Sequence, residues 1–245
     1  MLDLQNRVAL VTGGSRGIGK AIALALAAAG AAIALNYRER VEEAEAVAAR
    51  IRGSGRRAAI FGADVSLRVA VQSMVHDIEV ELGPVDILVN NAGMAVARGL
   101  DDITEDDFDH TLAVNLKSAF LCTQAVLPGM RARRWGRIVN VSSIGARIGA
   151  GSVSIAYAAA KAGIEGLTRG YALRLASEGV SVNAVAPGLV ATEMGQPLID
   201  AGVAARIPVG RPGTGEEIAQ AVLLLAGNAY MTGQTLAVNG GSLFS

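Results

Sequence analysis

Short apolar runs alternate with longer mixed segments along most of the chain. The apolar runs have the length and β-branched content of buried strands, and they cover residues 8–12, 31–36, 58–62, 86–90, 138–141, 182–186 and 235–238. The mixed segments are amphipathic or Ala-rich and predict helices from the first glycine turn to about residue 29 and over 41–52, 67–82, 105–133, 157–177 and 216–227. A Thr104-x-x-Asp107 pattern resembles a capping box at the start of the fourth helix.

Regular alternation of strands and helices is typical of a parallel sheet with helices on both faces. We therefore predict an α/β Rossmann fold, a doubly wound parallel sheet of about seven strands, in a single domain that spans residues 1–245. Residues 187–212 interrupt the pattern, because they carry four prolines and four glycines among short apolar patches. Since this stretch follows the end of a strand, we predict a substrate lid over residues 188–212, with an ordinary surface excursion as the alternative.

The composition narrows the class of protein. A hydrophobic content of 51% against 18% charged residues is that of a folded core rather than a disordered chain. The 22 basic and 22 acidic residues balance, which argues against binding to nucleic acid or a membrane surface. The N-terminus lacks a signal-peptide pattern and the longest apolar run, residues 21–35, is too short to span a bilayer, so we expect a cytoplasmic protein. Cys122 has no disulfide partner, and His76 and His110 lack metal-ligand spacing, so no metal site is predicted.

Residues 138–161 carry the strongest candidate chemistry. The predicted strand ends in Ser142 and Ser143, and a Gly-rich connection leads to a helix that begins near Tyr157. Tyr157 and Lys161 are four positions apart, so both side chains lie on one face of that helix. An unperturbed phenol titrates near pH ~10, and a neighbouring ammonium is expected to lower its pKa toward the range of efficient acid–base catalysis. We therefore predict a proton-transfer site.

A glycine-rich turn follows the first predicted strand, with the pattern Gly13-x-x-x-Gly17-x-Gly19. A strand, a glycine turn and a helix in succession direct backbone N–H groups and a helix N-terminus toward a phosphate. The frame that begins at Gly14 also approximates the P-loop of ATPases and GTPases, but Ala21 stands where that motif needs a hydroxyl for magnesium. A dinucleotide therefore fits better, and a purely structural strand–helix junction is the remaining alternative.

The order of these motifs resembles one protein family. Along the chain come Thr12-Gly13-x-x-x-Gly17-x-Gly19, Asn90-Asn91-Ala92-Gly93, Asn115, Ser143, Tyr157-x-x-x-Lys161 and Pro187-Gly188. This ordered set is similar to the short-chain dehydrogenases/reductases, and within them most similar to 3-oxoacyl-(acyl-carrier-protein) reductases. The resemblance covers essentially the whole chain, down to the Thr232-Gly-Gln-Thr and Asn239-Gly-Gly segments. It implies an enzyme, an NAD(P)-dependent oxidoreductase acting on C–OH and C=O groups.

The resemblance implies catalytic roles for four residues. Tyr157 would give a proton to the substrate oxygen, and the Ser143 hydroxyl would bond the same oxygen. Lys161 would hold the nicotinamide ribose and lower the pKa of the tyrosine, and Asn115 would help to hold a water that reloads the lysine. Ser142 competes for the serine role. We choose Ser143, which follows the strand at the family's catalytic place, and expect Ser142 to satisfy the backbone at the strand end.

The end of the second predicted strand bears on cofactor choice. Dinucleotide folds that select NAD carry an acidic residue there for the ribose 2′-OH, whereas a 2′-phosphate needs basic residues. Here the strand ends Leu35-Asn36-Tyr37-Arg38 without an acid, and Arg16 in the glycine loop adds positive charge. We therefore predict NADP(H) in preference to NAD(H), with a solvated loop cation as the alternative role for Arg38.

By resemblance, a larger set of residues would bind the cofactor. Asp64 and Val65 would contact the adenine, although Asp64 has a cap of the next helix as an alternative role, and Thr192 would hold the nicotinamide carboxamide. The full set is Gly13, Ser15, Arg16, Gly17, Ile18, Gly19, Asn36, Tyr37, Arg38, Asp64, Val65, Asn91, Ala92, Gly93, Tyr157, Lys161, Pro187, Gly188, Val190 and Thr192.

The function that we predict is reduction of a ketone by NADPH, with a 3-oxoacyl thioester as the substrate. A reductase or dehydrogenase of another ketone, sugar or polyol is the alternative, and a non-catalytic dinucleotide-binding regulator is a lesser one. The resemblance also implies a homotetramer built through the helices at 107–133 and 157–177 and the C-terminal strand. The walls of the substrate pocket are expected on the segment that begins at Met94, on residues 145–155 and on the lid.

Overall fold

In the described part of the chain, seven parallel strands form one sheet. The computed structural model describes residues 2–150 and 153–244. The strands are β1 (Val8–Val11), β2 (Ala32–Tyr37), β3 (Ala58–Gly62), β4 (Ile87–Asn90), β5 (Gly136–Val141), β6 (Val180–Pro187) and β7 (Thr235–Val238). Their order across the sheet is β3-β2-β1-β4-β5-β6-β7. In the central register, Val11 lies between Leu35 of β2 and Val89 of β4.

Helices connect the strands and cover both faces of the sheet. They are α1 (Gly17–Ala28), α2 (Val41–Gly53), α3 (Arg68–Glu81), α4 (Glu105–Leu112), α5 (Ser118–Ala132), α6 (Gly145–Ile148), α7 (Ile155–Leu175), α8 (Gln196–Asp200) and α9 (Gly215–Gly227). The predicted doubly wound α/β fold is confirmed. For most strands and helices, the observed ends differ from the predicted ends by one or two residues. For example, β6 begins two residues earlier than predicted.

Two hydrophobic cores result from the alternation of side chains along each strand. Ala9 and Val11 of β1 pack beneath α1, α2 and α9, whereas Val8 and Leu10 face α3, α5 and α7. Because both faces are covered, the central strands are apolar throughout rather than alternating, as their sequences indicated.

The chain direction reverses at the centre of the sheet. It runs from β1 outward to β2 and β3, and then returns to the other side of β1 to form β4. In open α/β sheets this reversal leaves a crevice outside the carboxyl ends of the two central strands, where ligands bind. The turn after Val11 and the segment after Asn90 both open into this crevice, so the topology brings the glycine loop beside the Asn-Ala-Gly motif.

The helix predicted over residues 105–133 is not one regular helix. A π-helical turn, Ala113–Lys117, separates α4 from α5. Within it, the Asn115 amide donates hydrogen bonds to the carbonyl oxygens of Thr111 (3.0 Å) and Met94 (3.0 Å). A side chain that bonds to the preceding turn and to another segment competes with the regular helical ladder, which accounts for the widened turn. The predicted capping box at Thr104 is present.

Two segments predicted as irregular contain short helices. The 188–212 segment forms α8 and a 3₁₀ turn, Val203–Arg206; Pro197 is tolerated because it lies in the first turn of α8. The Gly-rich connection after β5 forms α6, which ends at Gly149. Residues 151 and 152 of the predicted pocket wall lie outside the described residues.

The single cysteine of the chain lies in the core. Cys122 is fully buried in α5, and burial raises the pKa of its thiol to about 12, so it behaves as a small core residue. In the described part of the chain, no helix is long and apolar enough to cross a bilayer.

Substitution of Gly19 tests the packing behind the crevice. A Cβ added there would lie 2.3 Å from the Gly13 carbonyl oxygen and 2.5 Å from Nδ2 of Asn91, whereas one added at Gly53 in α2 meets nothing within 4 Å. We expect Gly19→Ala to reduce stability by about 1–3 kcal/mol, because backbone must move to make room. Gly53→Ala is the matched control and should leave stability equal or slightly raised. Thermal melts of both variants measure this; equal melting temperatures would contradict the packing.

Candidate active site

The glycine loop between β1 and α1 has the features of an anion-binding site. Gly13 and Gly17 have φ angles of +62° and +52°, which favour glycine. Arg16 precedes the first helical residue, and no side chain caps the start of α1, whose first turn also lacks acidic residues. Uncapped N–H groups and a positive helix end fit a phosphate group.

A small polar cluster joins this loop to the end of β4. The Thr12 hydroxyl oxygen accepts hydrogen bonds from the backbone N–H groups of Asn91 (3.0 Å) and Ala92 (2.9 Å). The Asn91 amide in turn donates to the carbonyl oxygens of Thr12 (2.9 Å) and Gly13 (3.0 Å). Thr12 belongs to the quoted motif but was not predicted as a site residue. Its role is visible only from these cross-strand bonds.

The side chains of Asn36 and Asp64 form hydrogen bonds with backbone groups around the crevice. Asn36 is buried; it accepts a hydrogen bond from Gly13 N–H (3.3 Å) and donates to the carbonyl oxygens of Phe61 (3.3 Å) and Ala63 (3.1 Å). It therefore shapes the glycine loop from behind. Asp64 accepts two hydrogen bonds from Ser66. Burial raises the pKa of the Asp64 carboxyl, but the bonds from Ser66 lower it by more, so the pKa lies below its ordinary value.

The arginines near the crevice are paired with carboxylates. Arg38 pairs with its neighbour Glu39 at 2.6 Å and is half exposed. Arg16 of the glycine loop and Arg40, just before α2, both bind the carboxylate of Glu193. Glu193 and Arg40 were not among the predicted site residues, because no local pattern relates a residue after β6 to the first loop.

Tyr157, Ser143 and Lys161 come together where β5 ends beside α7. Tyr157 is half-buried, and its ring centroid lies 5.6 Å from the Lys161 ammonium. Burial raises the pKa of the Tyr157 phenol, and a hydrogen bond with Ser143 offsets part of the rise. This corrects the expectation that Lys161 lowers the phenol pKa: in the ligand-free protein, desolvation decides the direction.

The two serines after β5 occupy different environments. Ser142 is 3% exposed, and its hydroxyl donates to the backbone carbonyl of Lys161 at 3.1 Å. The Ser143 hydroxyl is partly exposed and accepts a hydrogen bond from Gly145 N–H at 3.0 Å. That bond leaves its own hydrogen available for Tyr157 or for a ligand oxygen, so the geometry favours Ser143 for the catalytic role.

Lys161 is buried at the centre of the group. It is 4% exposed, and its ammonium donates to the Val141 carbonyl oxygen at 2.8 Å. Burial lowers the pKa of this ammonium from 10.5 to about 8. An ammonium has three donors, and the Val141 bond uses one. A Cβ added at Gly93 would lie 3.6 Å from the Lys161 Nζ, so the Asn-Ala-Gly motif passes close to it.

Asn115 lies under the same motif. Besides the two bonds that its amide donates, its side-chain oxygen accepts a hydrogen bond from Met94 N–H at 3.2 Å. The side chain therefore positions the segment that follows Gly93. The expected role with a water stays a prediction.

The segment after β6 closes the crevice on its other side. Gly188 N–H donates to the Val238 carbonyl oxygen at 2.9 Å, and a Cβ there would meet Asn239 at 2.9 Å. Val190 is buried and bridges to Gly213. The side chain of Thr192 lies against Gly17, where a Cβ would be 3.4 Å from its methyl group. The structure thus brings the Pro187–Thr192 stretch to the glycine loop.

Comparison with known proteins agrees with this arrangement. The profile of the short chain dehydrogenase family matches residues 7–201. The chain belongs to this family. As a short chain dehydrogenase it is an NAD(P)-dependent oxidoreductase acting on C–OH and C=O groups, which confirms the family and enzyme class predicted from the motifs. In residues 2–150 and 153–244, no three His, Cys, Asp or Glu side chains cluster as metal ligands would.

Three relatives illustrate the range of the family around this chain. It is 42% identical to the 3-oxoacyl-[acyl-carrier-protein] reductase FabG of Pseudomonas aeruginosa, over 100% of both chains. It is also 42% identical to the (2S)-[(R)-hydroxy(phenyl)methyl]succinyl-CoA dehydrogenase subunit BbsD of Thauera aromatica, again over 100% of both. A crystal structure of a candidate gluconate dehydrogenase from Agrobacterium tumefaciens superposes with a TM-score of 0.93 at 34% identity, covering 99% of each chain.

Removal of the Tyr157 hydroxyl tests its assignment as proton donor. Tyr157→Phe should lower kcat by at least about 10²-fold, because a positioned acid contributes roughly that much, while nucleotide binding stays nearly intact. Tyr171→Phe is a matched control on the same helix, since its hydroxyl bonds Gln124 outside the site, and it should retain activity. Steady-state kinetics and cofactor fluorescence measure the two effects. Full activity in Tyr157→Phe would refute the assignment.

The buried ammonium of Lys161 predicts a pH-dependent stability cost. The folded protein releases this proton at a pKa of about 8, whereas the unfolded chain keeps it up to 10.5. The cost is therefore full below about pH 8 and fades as pH rises toward 10.5. Lys161→Met should lose turnover yet raise the melting temperature of the ligand-free protein by several degrees near neutral pH.

That gain should shrink at about pH 9.5, where the wild-type lysine is mostly neutral. Lys117→Met, at an exposed lysine, is the control and should show no such pH-dependent gain. A Lys161→Met protein that melts below wild type at neutral pH would show that the ammonium stabilises the fold instead.

Proposed function

We propose that this short chain dehydrogenase is an NADPH-dependent carbonyl reductase whose substrate is a 3-oxoacyl thioester. One observation carries the proposal: a phenol whose pKa burial raises, hydrogen-bonded to Ser143, stands beside a buried lysine at the crevice. A phenol placed beside these two groups can exchange a proton with a substrate oxygen. The proposed direction, reduction, follows the name of the 3-oxoacyl relative.

The residues around the crevice fit a dinucleotide. The uncapped start of α1 suits its pyrophosphate, and the left-handed backbone at Gly13 and Gly17 keeps side chains away from that position. Asp64 and Val65 would hold the adenine end, residues 91–93 the ribose side, and Lys161 the nicotinamide ribose. When bound, the nicotinamide supplies the hydride.

The protein's own groups manage the charge that develops on the substrate oxygen. The Ser143 hydroxyl, held by Gly145 N–H, donates a hydrogen bond to that oxygen, and Tyr157 transfers its proton to it. Lys161 donates one hydrogen bond to the Val141 carbonyl oxygen, which leaves two further ammonium donors for the nicotinamide ribose. Asn115 keeps the Met94 segment at the site through its two bonds to Met94.

The preference for NADPH is proposed from charge. The second strand ends without an acid, and Arg16, Arg38 and Arg40 lie in the loops that follow β1 and β2. A guanidinium fits a phosphate through two parallel hydrogen bonds. An acid that would bind the ribose 2′-OH of NAD is absent from residues 36–38.

A cavity whose lining side chains are mostly aliphatic supports an acyl chain as the substrate. It measures about 400 Å³ and is lined by Ala97, Arg98, Gly99, Leu100, Ile103, Val153 and Ile155. Ile155 is two residues before Tyr157, and Arg98 is the single charged residue of the lining. The names of the two thioester-active relatives support the same substrate class, whereas the candidate gluconate dehydrogenase keeps a sugar acid as the second candidate.

We also propose a cytoplasmic homotetramer with a mobile lid over residues 188–212. Large apolar side chains are exposed on the two helices expected at its interfaces, Phe120 on α5 and Leu173 on α7, with Leu173 83% exposed. A partner copy covering both helices would bury them. Light scattering that gives the mass of a single chain would contradict this assembly.

Turnover of defined substrates tests the proposed function. Oxidation of NADPH and NADH is followed with acetoacetyl groups on CoA and on an acyl carrier protein, beside a panel of simple ketones and sugar acids. We expect thioester reduction with NADPH faster than with NADH. Activity on the panel alone would move the protein to the second candidate. Tight NADPH binding without any turnover would favour a regulator.

A further inference from the structure

Glu193 is bound by two arginines from distant parts of the chain. Its carboxylate pairs with Arg16 of the glycine loop and, at 3.3 Å, with Arg40, which precedes α2. These guanidinium groups come from the loop after β1 and the loop after β2, and the carboxylate comes from the segment after β6. Three separate loops therefore meet at one ion cluster on the rim of the crevice.

Glu193 lies at the start of the predicted lid. The base of the lid is closed by the bridge between Val190 and Gly213, reinforced by the hydrogen bond from Ala191 N–H to the Gly213 carbonyl oxygen (2.9 Å). Thr192 then lies against Gly17, and Glu193 is the next residue. The ion cluster therefore joins the beginning of the lid, just beyond its base, to Arg16 and Arg40.

The chemistry of the cluster resembles that of a phosphate site. Two guanidinium groups that converge on one carboxylate are the donors that a phosphate monoester takes, and the monoester carries the larger negative charge. A 2′-phosphate bound by Arg16 and Arg40 would replace the carboxylate as their partner. The acid and the phosphate would then compete for the same two side chains.

We propose that Glu193 is a specificity-determining latch. Its carboxylate binds the two arginines and ties the lid to the glycine loop. The 2′-phosphate of NADP(H) displaces it and releases the lid, and NAD(H), which lacks that group, does not. This inference rests on the proposed preference for NADP(H).

The latch should lower the affinity of the protein for a nucleotide that carries a 2′-phosphate. A ligand that binds only the open form has its affinity reduced by the fraction of protein in that form. Exposed ion pairs are individually weak, so two of them together change an equilibrium constant roughly three- to tenfold. Removing the carboxylate should therefore improve 2′-phosphate binding by about that factor.

Glu43 offers a matched control. It pairs with Arg40 at 3.3 Å, but it lies on α2 itself and does not join the lid to the loop. Glu43→Gln removes the same charge from the same neighbourhood as Glu193→Gln. A general electrostatic effect would be similar in both variants, whereas a latch effect is confined to Glu193→Gln.

Calorimetric titration with two small nucleotides isolates the 2′-phosphate. Adenosine 2′,5′-bisphosphate and AMP differ by that group alone. The dissociation constant of AMP divided by that of the bisphosphate therefore measures the contribution of the 2′-phosphate. In Glu193→Gln this ratio should rise roughly three- to tenfold above wild type with AMP affinity unchanged. In Glu43→Gln it should stay near wild type. An unchanged ratio in Glu193→Gln, or an equal rise in both variants, would overturn the proposal.

Hydrogen exchange of the ligand-free protein tests the tie to the lid directly. Amides of residues 191–206 should exchange faster in Glu193→Gln than in wild type or Glu43→Gln. In wild type, the bisphosphate should alter exchange in this segment and AMP should not. Identical exchange in the three ligand-free proteins would mean that no latch exists.

The two experiments separate this inference from the cofactor preference. If wild type binds both nucleotides equally, the NADPH preference fails; a raised ratio in Glu193→Gln would even then support the blocking role of the carboxylate. If wild type prefers the bisphosphate and Glu193→Gln has the same ratio, the preference stands and the latch is refuted.

Discussion

The tie between the ends of β1 and β4 is the constraint on which the site depends. The Thr12 hydroxyl receives two backbone N–H groups from the Asn-Ala-Gly segment, and the Asn91 amide returns two bonds to the glycine loop. These bonds hold open the crevice that the reversal of strand order creates. Asn36 supports the same loop from behind through Gly13. Because these side chains bond backbone, the loop is placed before any ligand arrives.

Burial then decides the chemistry on the other side of the crevice. Desolvation raises the pKa of Tyr157 and lowers that of Lys161 to about 8, so a protonated phenol stands beside an ammonium that loses its proton readily. Burial of this ammonium is expected to destabilise the fold near neutral pH, which is a common cost of a functional group held in a dry site. The two serines differ in their contacts: the Ser142 hydroxyl bonds the backbone of α7, whereas the Ser143 hydroxyl accepts a bond from Gly145 N–H and is partly exposed.

The arginines on the rim of the crevice are paired with carboxylates. The chain has no net charge, and the arginines beside the phosphate end already have carboxylate partners in Glu39 and Glu193. A phosphate that binds there would exchange partners with these carboxylates. The strength of the proposed cofactor selection would then depend on the displaced acids as well as on the arginines.

The sequence by itself determined the alternation of strands and helices, the glycine loop and the Tyr157–Lys161 pair, because these features depend on spacing along a few turns of chain. Only the tertiary structure decided the direction of the Tyr157 pKa shift, the distinction between Ser142 and Ser143, and the π turn at Asn115. The contact between Arg16 and Glu193 joins residues 177 positions apart. Desolvation and long-range ion pairs arise from packing between elements that are distant in the sequence. Local sequence patterns therefore do not predict them.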